Sequence, residues 1–308
     1  MLTKPEKLTP QCAEVFWKFA DRRPIYICEG QFLTQLIWAE QYEVLWMQSD
    51  LAFYLLVGEE SGHIAAMMPL CAEEDIPAAV RELEDYFANE VGRDLKIYAV
   101  DETFAKVVSE DPELSARYEA VETRDSFDYI YEAEKLKTLA GKKLHKKKNN
   151  LNRFLKDYEG RYEYRALDCA NVCEIEAYHM RWVENREQNL EDPEGFLTGE
   201  ERGIFKVFRN CAAIDCEMGG IYIDGQLEAY SIGTYNPKLK MADIQVEKAN
   251  PEIRGLYTII NQLFLVNAFP EAEIVNREED MGEEGLRQAK ESYYPLRLEK
   301  KFKIQKRG

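Results

Sequence analysis

The strongest constraint on the fold of this 308-residue chain is a β-hairpin in its second half. Two strand-like runs, residues 219–223 and 226–235, are joined by Asp224 and Gly225, a pair that suits a tight turn between antiparallel strands. The residues before the hairpin predict a strand at 162–166 and helices at 171–189 and 200–211. The residues after it predict a strand at 242–247, a helix at 258–268, a strand at 273–276, a helix at 283–291 and a strand at 296–304.

The first half of the chain predicts a similar order of elements. A second hairpin is expected from the apolar runs 51–57 and 63–69, which flank a loop that begins and ends with glycine. Around it the pattern predicts helices at 10–20, 74–91 and 104–109, and strands at 26–28, 35–38, 43–47, 95–100 and 127–131. This mixture of helices and strands predicts a mixed α/β fold, and the similar order of the two halves predicts two domains.

A helix predicted over residues 135–158 carries a dense positive charge. Its apolar residues, including Leu144, Leu151 and Phe154, fall on one face, and its cations project elsewhere. Residues 135–156 contain nine lysines or arginines and no acid, although the whole chain has a net charge of −17. The segment is therefore either a localised anion-binding surface or a solvated helix face. We place the domain boundary near its start, at residue 137, which gives domains at 1–137 and 138–308.

Composition argues against several classes of protein. The acidic net charge is unfavourable for nonspecific coating of nucleic acid. No apolar run is long enough to span a membrane and no secretion leader is visible, so we expect a cytoplasmic chain. The sequence contains none of the glycine-rich motifs of serine hydrolases, P-loop NTPases or dinucleotide-binding enzymes.

The cysteines do not form a recognisable framework. There are seven, an odd and scattered set, which predicts reduced thiols rather than paired disulfides. Cys169, Cys173 and His179 are spaced closely enough to suggest zinc, but no second pair of ligands accompanies them, and cysteine is often a small core residue. We therefore expect no metal site.

The strand at 242–247 is the first segment that could carry chemistry. Alternation puts Ile244 and Val246 on one face and Asp243, Gln245 and Glu247 on the other. Such a strand would bury one side and offer carboxylates to a cleft on the other.

The turn after this strand leads into a helix through Arg254, Gly255 and Leu256. Free backbone N–H groups and the helix dipole at such a start attract phosphate or another anion. The alternative is an ordinary loop between a strand and a helix.

Residues 276–295 form the second candidate segment. They begin at Asn276, where a strand is predicted to end, and α/β folds bind ligands at the carboxyl ends of strands. Arg287 and Lys290 lie three residues apart on the next helix and share a face that can hold an anion. Asp280 could orient those cations or act as a base. The alternative is a capped helix with solvated charges.

The third candidate segment is the basic run itself. Its cations are interleaved with amides, so they could contact successive phosphates of RNA or a lipid head group. These cations are Lys142, Lys143, Lys146, Lys147 and Arg153.

Together these three segments resemble the family that includes the C-terminal domain of phosphatidylglycerol lysyltransferase. The resemblance covers about residues 125–305 and is most specific over 276–295. It implies two tandem GNAT-type domains. It also implies a transferase similar to the Fem-type aminoacyltransferases, which move an aminoacyl group from tRNA onto an amine or hydroxyl acceptor.

The resemblance also implies roles for single residues. Glu247 matches the position of a catalytic base at the end of the fourth GNAT strand, and Tyr293 or Tyr294 matches a tyrosine that protonates the leaving group. GNAT enzymes usually have more glycines in the pyrophosphate loop than the single Gly255 of this chain. This departure favours an acyl donor other than acetyl-CoA.

Three functions follow as hypotheses. The first is aminoacyl transfer from an aminoacyl-tRNA-type donor to an amine or hydroxyl, with a small molecule, peptide or lipid head group as acceptor. The second is CoA-dependent N-acetylation of a small molecule or peptide. The third is a non-catalytic module that binds RNA or another anionic partner.

Overall fold

A computed structural model describes residues 2–59, 62–187 and 197–308. The chain divides into two compact units, one formed by Met1–Asp128 with Glu299–Gly308 and the other by Tyr129–Leu298. Each unit contains one seven-stranded sheet with parallel and antiparallel neighbours, and helices pack on it. The predicted mixed α/β fold with two domains is confirmed.

The elements of the first unit run, in chain order, as β1 Glu6–Lys7, α1 Ala13–Ala20, α2 Phe32–Trp38, β2 Leu45–Gln48, β3 Phe53–Gly58, β4 Ile64–Met67, α3 Ile76–Tyr86, β5 Ile97–Asp101, α4 Glu102–Glu110, α5 Pro112–Arg117 and β6 Tyr118–Glu122. The second unit contains β7 Asp128–Glu132, α6 Ala133–Thr138, α7 His145–Asp157, β8 Tyr162–Leu167, α8 Val172–Glu187, α9 Leu197–Arg209, β9 Glu217–Ile223, β10 Gln226–Asn236, β11 Met241–Ala249, α10 Leu256–Ala268, β12 Ile274–Asn276, α11 Glu284–Glu291 and β13 Arg297–Glu299. The last strand, β14 Lys301–Lys306, returns to the first unit.

The strand order is β1-β2-β3-β4-β5-β14-β6 in the first sheet and β13-β7-β12-β11-β10-β9-β8 in the second. The boundary between units therefore differs from the expected 137/138. β7 pairs with β12, with Tyr131 opposite Val275, so residues 129–137 belong to the second unit. β14 pairs with β5 and β6, so the last ten residues belong to the first.

Two groups of predicted elements are corrected by the structure. The strand expected at 35–38 lies in helix α2, and the strand expected at 26–28 is not formed, because a 3₁₀ turn at Cys28–Gly30 begins at its last residue. Nearly every residue of α2 is buried, so the segment has no polar face from which helical periodicity can be recognised. The predicted final strand is two strands in different sheets, β13 and β14.

The basic segment forms two helices instead of one. α6 and α7 are separated by Leu139 and Gly141, which adopt positive φ angles of 50° and 100°. Gly141 reaches this region without a side-chain penalty, and a continuous helix cannot pass through it. The break leaves α7 as a separate element that packs against α10.

The expectation of fully reduced thiols is wrong, because Cys169 and Cys211 form a disulfide. One lies just before α8 and the other just after α9, so their proximity depends on how these helices pack, which spacing along the chain does not reveal. Cys169 is therefore no zinc ligand. His179 is buried, with Nδ1 2.7 Å from the hydroxyl of Tyr230, and burial lowers its pKa to about 4. Among the described helices, none is long and apolar enough to cross a bilayer.

Candidate active site

The second sheet opens between two parallel strands. β11 and β12 pair only at Met241–Ile274, Ala242–Val275 and Asp243–Asn276. β12 ends there, whereas β11 continues for six residues to Ala249. We call the opening beyond Asn276 the notch, and its walls are the end of β11, the loop after β12 and helix α10.

A β-bulge aims Glu247 into this region. Ile232 of β10 lies opposite Val246, but Gly233 lies opposite Ile244, so Gln245 is an extra residue in β11. A bulge shifts the alternation of side chains by one position. Glu247 therefore faces α10, as Ile244 does, and the predicted grouping of Glu247 with Gln245 and Asp243 is wrong.

The carboxylate of Glu247 is held by one cation and one amide. Oε1 accepts a hydrogen bond from Arg277 Nη2 at 2.8 Å, and Oε2 accepts one from Asn261 Nδ2 at 3.0 Å. Arg277 follows β12 directly, so this ion pair spans the notch. The side chains of Glu247 and Arg277 retain only 10% and 13% of their exposure, so water screens their attraction weakly.

Tyr293 lies beside this ion pair. The centre of its ring is 5.0 Å from the Arg277 guanidinium carbon, and its hydroxyl shares hydrogen bonds with Thr258 and Arg277. Burial raises the pKa of Tyr293 and the charge of Glu247 raises it further, against the opposing effect of Arg277. Tyr293 is thus a protonated phenol that can donate a proton. Tyr294 is 49% exposed, and Lys143 Nζ lies 5.3 Å from its ring centre.

Helix α7 contributes Lys147 to the same cluster. Its Nζ lies 3.8 Å from the centre of the Tyr293 ring. Burial lowers the pKa of Lys147 to about 8, and the positive charge of Arg277 adds to this effect while Glu247 opposes it. Of the predicted cations, Lys147 is therefore the one that the structure brings to Glu247 and Tyr293. Lys142 and Lys143, in the 3₁₀ turn just before α7, are exposed, as are Lys146 and Arg153 on α7, where Arg153 lies 3.2 Å from Asp157.

Asp280 is fully buried, and both of its oxygens are engaged. Oδ2 accepts hydrogen bonds from the Tyr129 hydroxyl at 2.6 Å and from Arg287 Nε at 2.9 Å. Oδ1 accepts from Arg287 Nη2 at 2.8 Å and from the backbone N–H of Gly282 at 2.9 Å. Burial alone would raise the pKa of Asp280, but the hydrogen bonds from Arg287 and Tyr129 hold it well below its usual value. Asp280 is therefore a persistent anion that fixes its loop.

The predicted anion-binding cation Lys290 also bonds within the protein. Its Nζ donates to the backbone carbonyls of Arg277 and Glu279, and the residue is 8% exposed. Buried Asn276 accepts a hydrogen bond from the backbone N–H of Glu278 at 2.6 Å. We call Asn276, Asp280, Arg287 and Lys290 the loop brace, because their bonds fix the backbone that carries Arg277.

The predicted phosphate-binding helix start is covered. A Cβ atom on Gly255 would lie 2.5 Å from the backbone oxygen of Asn150 and 3.0 Å from Cβ of Phe154, both in α7. The guanidinium of Arg254 bonds the Asn150 side chain at 3.2 Å, and the N–H of buried Leu256 donates to Ile253. α7 therefore packs directly against one side of Gly255, which narrows the space for an anion at this helix start.

Three residues of the cluster were missed by sequence reasoning. Thr258 and Asn261 are buried polar residues in α10, whose other buried side chains are apolar. Polar residues at positions i and i+3 on an apolar helix are a signal that could have identified them. Arg277 was not recognised as a site residue because the segment around it contains many charged residues, and the sequence does not indicate which of them is buried.

The first unit also contains a cluster of potential metal ligands. Atoms of Cys28, Glu29 and Asp128 lie within 4.8 Å of one another. The ammonium of buried Lys301 is among them, 2.9 Å from Asp128, 2.8 Å from Glu29 and 3.3 Å from the Cys28 sulfur. Lysine supplies the positive charge that a metal would bring, so the cluster is a buried ion-pair network.

The sequence matches the family described as phosphatidylglycerol lysyltransferase, C-terminal, over residues 23–305. The chain belongs to this family. Its fold is that of two tandem GNAT-like domains, and the resemblance found in the sequence is confirmed.

Three relatives illustrate the extent of similarity. A conserved protein of unknown function from Bacteroides thetaiotaomicron is 26% identical with a TM-score of 0.86, over 98% of this chain and 99% of that one. The structure of L-PGS from Bacillus licheniformis has 13% identity and a TM-score of 0.65, over 98% and 93% of the two chains, which shows a shared fold. An uncharacterised protein of Mycoplasmoides gallisepticum is 24% identical over 180 residues, and the match spans 58% of this chain and 56% of that protein's length.

Proposed function

We propose that this chain is a transferase that moves an aminoacyl group from aminoacyl-tRNA to an amine or hydroxyl acceptor. Membership of a family named for lysyl transfer supports the reaction class. The observation that carries the choice of donor is the position of α7, which covers the start of α10 and presents its remaining lysines outward.

The covered helix start disfavours CoA. A pyrophosphate at Gly255 would compete for space with the Asn150 backbone. The gap between Gly255 and Asn150 is already too small for a single added carbon atom. A tRNA donor has a phosphate backbone that exposed cations can contact along its length. Lys142 and Lys143, just before α7, and Lys146 on α7 are such cations. Because aminoacyl-tRNA is made in the cytoplasm, the proposal puts the reaction there.

The cluster at the notch supplies the groups that ester aminolysis or transesterification needs. Glu247 takes a proton from the acceptor as its nitrogen or oxygen attacks the ester carbonyl carbon. Arg277 and protonated Lys147 stabilise the oxygen that becomes negative in the tetrahedral intermediate. When the bond from carbon to the ribose oxygen breaks, Tyr293 gives a proton to that oxygen and recovers one from Glu247. The acceptor then carries the aminoacyl group, and the tRNA leaves with its terminal hydroxyl restored.

The test is a donor-consumption assay with the whole chain. Bulk tRNA charged with radiolabelled amino acids is incubated with the protein, with phosphatidylglycerol vesicles or with a peptide-amine mixture, and label is followed from tRNA into lipid or peptide. Acetyl-CoA with the same acceptors forms the parallel arm. We expect transfer from tRNA that is lost in Glu247→Gln, with Glu283→Gln as a control because its carboxylate is exposed.

The outcomes separate the three hypotheses. Acetyl transfer without aminoacyl transfer would overturn the proposal in favour of CoA-dependent acetylation. Binding of tRNA without consumption of any acyl donor, unchanged in Glu247→Gln, would favour a non-catalytic RNA-binding module.

A further inference from the structure

Two buried hydrogen-bonding atoms beside Glu247 have no partner. The hydroxyl of Ser231 and the side-chain carbonyl of Asn261 make no hydrogen bond to any residue that the structure describes. Ser231 is fully buried, and Asn261 is 1% exposed. Buried polar groups are nearly always paired because an unmade hydrogen bond costs folding free energy. Two such atoms next to a candidate base therefore point to a ligand.

The sheet register puts Ser231 beside Glu247. The two residues lie directly opposite each other on β10 and β11, and directly opposite residues project from the same face of a sheet. On the other side of Ser231, β9 carries Gly219, where a Cβ would lie 2.9 Å from the Phe264 ring of α10. Ser231 thus faces α10, as Glu247 does.

The orientation of the Asn261 amide follows from its partner. An ionised carboxylate only accepts hydrogen bonds, so the NH₂ group of Asn261 must face Glu247, as the 3.0 Å contact has it. The carbonyl oxygen of Asn261 is then turned away from Glu247 and can only accept. The sheet face beneath α10 at Glu247 therefore holds two acceptors, the Glu247 carboxylate and the Asn261 carbonyl, and the Ser231 hydroxyl, which can donate or accept.

An amine satisfies this set and an alcohol does not. A hydroxyl has a single hydrogen, and if it donates that hydrogen to Glu247 it leaves the Asn261 carbonyl unpaired. A primary ammonium has three hydrogens, one for each of these two acceptors and one for the Ser231 hydroxyl. Loss of one of them to solvent through Glu247 then frees the lone pair for attack, and Glu247 is again able to take the proton released in the reaction. The positive charges of Arg277 and Lys147 lie close to Glu247, and like charges favour the loss of that proton from the bound ammonium.

We infer that Glu247, Asn261 and Ser231 form a subsite for a primary amine, which enters as the ammonium, and that this nitrogen is the acceptor in the reaction. The role of this amine as the acceptor rests on the proposed function, but the binding of an amine can be measured without a donor. The nitrogen could also be the α-amine of the aminoacyl group, and the choice of probes separates the two sources.

The experiment is a thermal-shift titration of the whole chain in mildly alkaline buffer. The probes are 2-methoxyethylamine, its alcohol counterpart 2-methoxyethanol, alaninamide as a mimic of the donor's α-amine, and N-acetylalaninamide. A ligand that binds only the folded chain raises the melting temperature by mass action. We expect stabilisation by methoxyethylamine and none by methoxyethanol.

Ser231→Ala tests the subsite, with Thr234→Val as the matched control. The Thr234 hydroxyl, on the same strand, is paired with Gln245 Nε2 at 2.9 Å. Ser231→Ala removes an unpaired hydroxyl, so we expect the unliganded chain to be no less stable while amine affinity falls about three- to tenfold. Thr234→Val should lower stability and leave amine affinity unchanged. A purely structural role for Ser231 predicts the opposite pattern.

The remaining outcomes are as decisive. Equal binding of the amine and the alcohol, or unchanged amine affinity in Ser231→Ala, would overturn the subsite. Stabilisation by alaninamide alone, absent with N-acetylalaninamide, would keep the amine subsite and overturn its assignment to the acceptor. Amine binding in a chain that consumes no aminoacyl-tRNA would refute the proposed function and leave the subsite standing.

Discussion

Asp280→Asn separates the two roles that sequence and structure give to this residue. As a catalytic base it would affect turnover and leave stability intact, whereas as part of the loop brace it would affect stability first. Asparagine keeps the size of the side chain but removes its charge. It also turns one acceptor into a donor that faces Arg287, Tyr129 or the backbone N–H of Gly282.

The expected magnitude follows from the burial of the ion pair. Breaking a buried ion pair by removing one partner costs about 3–5 kcal/mol. Arg287 retains 25% of its side-chain exposure, so water partly solvates its stranded charge. We therefore expect the free energy of unfolding to fall by about 2–3 kcal/mol, which is below that range because of this solvation.

Urea denaturation followed by tryptophan fluorescence measures the change, with Glu283→Gln as the control because it removes an exposed carboxylate from the same loop. The pH dependence gives a second test. The folded-state pKa of Asp280 is depressed, so its contribution is present above the unfolded value of about 3.9 and is lost as the pH falls below it. Asp280→Asn should thus flatten the acid loss of stability. A variant with wild-type stability and no turnover would refute the brace and restore Asp280 as a base.

Four further predictions concern the site and the first unit. Glu247→Gln should lower turnover by about 10²–10⁴-fold while tRNA affinity, measured by filter binding, stays within about twofold, since general-base catalysis contributes on this scale. Lys147→Arg should move the alkaline limb of the pH–rate profile upward, because Lys147 loses its charge with a pKa of about 8 and activity should fall above that pH in the wild type. Lys301→Met should cost about 3–5 kcal/mol in urea denaturation, since it strands the buried carboxylates of Asp128 and Glu29, whereas exposed Lys300→Met should cost little. Replacing Lys142, Lys143 and Lys146 by glutamine should reduce the slope of log affinity for tRNA against log salt by about two to three, and an unchanged slope would remove α7 from the donor surface.

The sequence predicts the parts of the fold that have strong local signals. The hairpin at Asp224 and Gly225 forms β9 and β10, and the order of strands and helices after it is correct up to α11, after which the one predicted strand is two. Glu247 and Tyr293 come together as the family resemblance implied. Their proximity depends on the bulge at Gln245, however. The pairing of β10 with β11 produces this bulge, so no local sequence pattern predicts it.

Charge roles are harder to predict than charge positions. Arg287 and Lys290 share a helix face as expected, but both turn inward onto the loop brace. Arg277 lies in the same charged segment and reaches Glu247. Whether a cation binds a ligand or an internal carboxylate depends on long-range packing. Tyr129, for example, contacts Asp280 although the two residues are more than a hundred positions apart in the chain.

Some cations of the second unit are bound within the loop brace and others are exposed, and this difference connects donor binding to catalysis in the proposed reaction. Because Arg287 and Lys290 are occupied by the brace, the outward charge available for a polyanionic donor comes from α7. The same helix covers Gly255 with Asn150 and directs Lys147 to Tyr293. A donor that binds the outer face of α7 is thus held by the element that lines the notch. In the proposed reaction the donor's ester therefore enters beside Lys147, which lies against Tyr293 and the ion pair of Glu247 and Arg277.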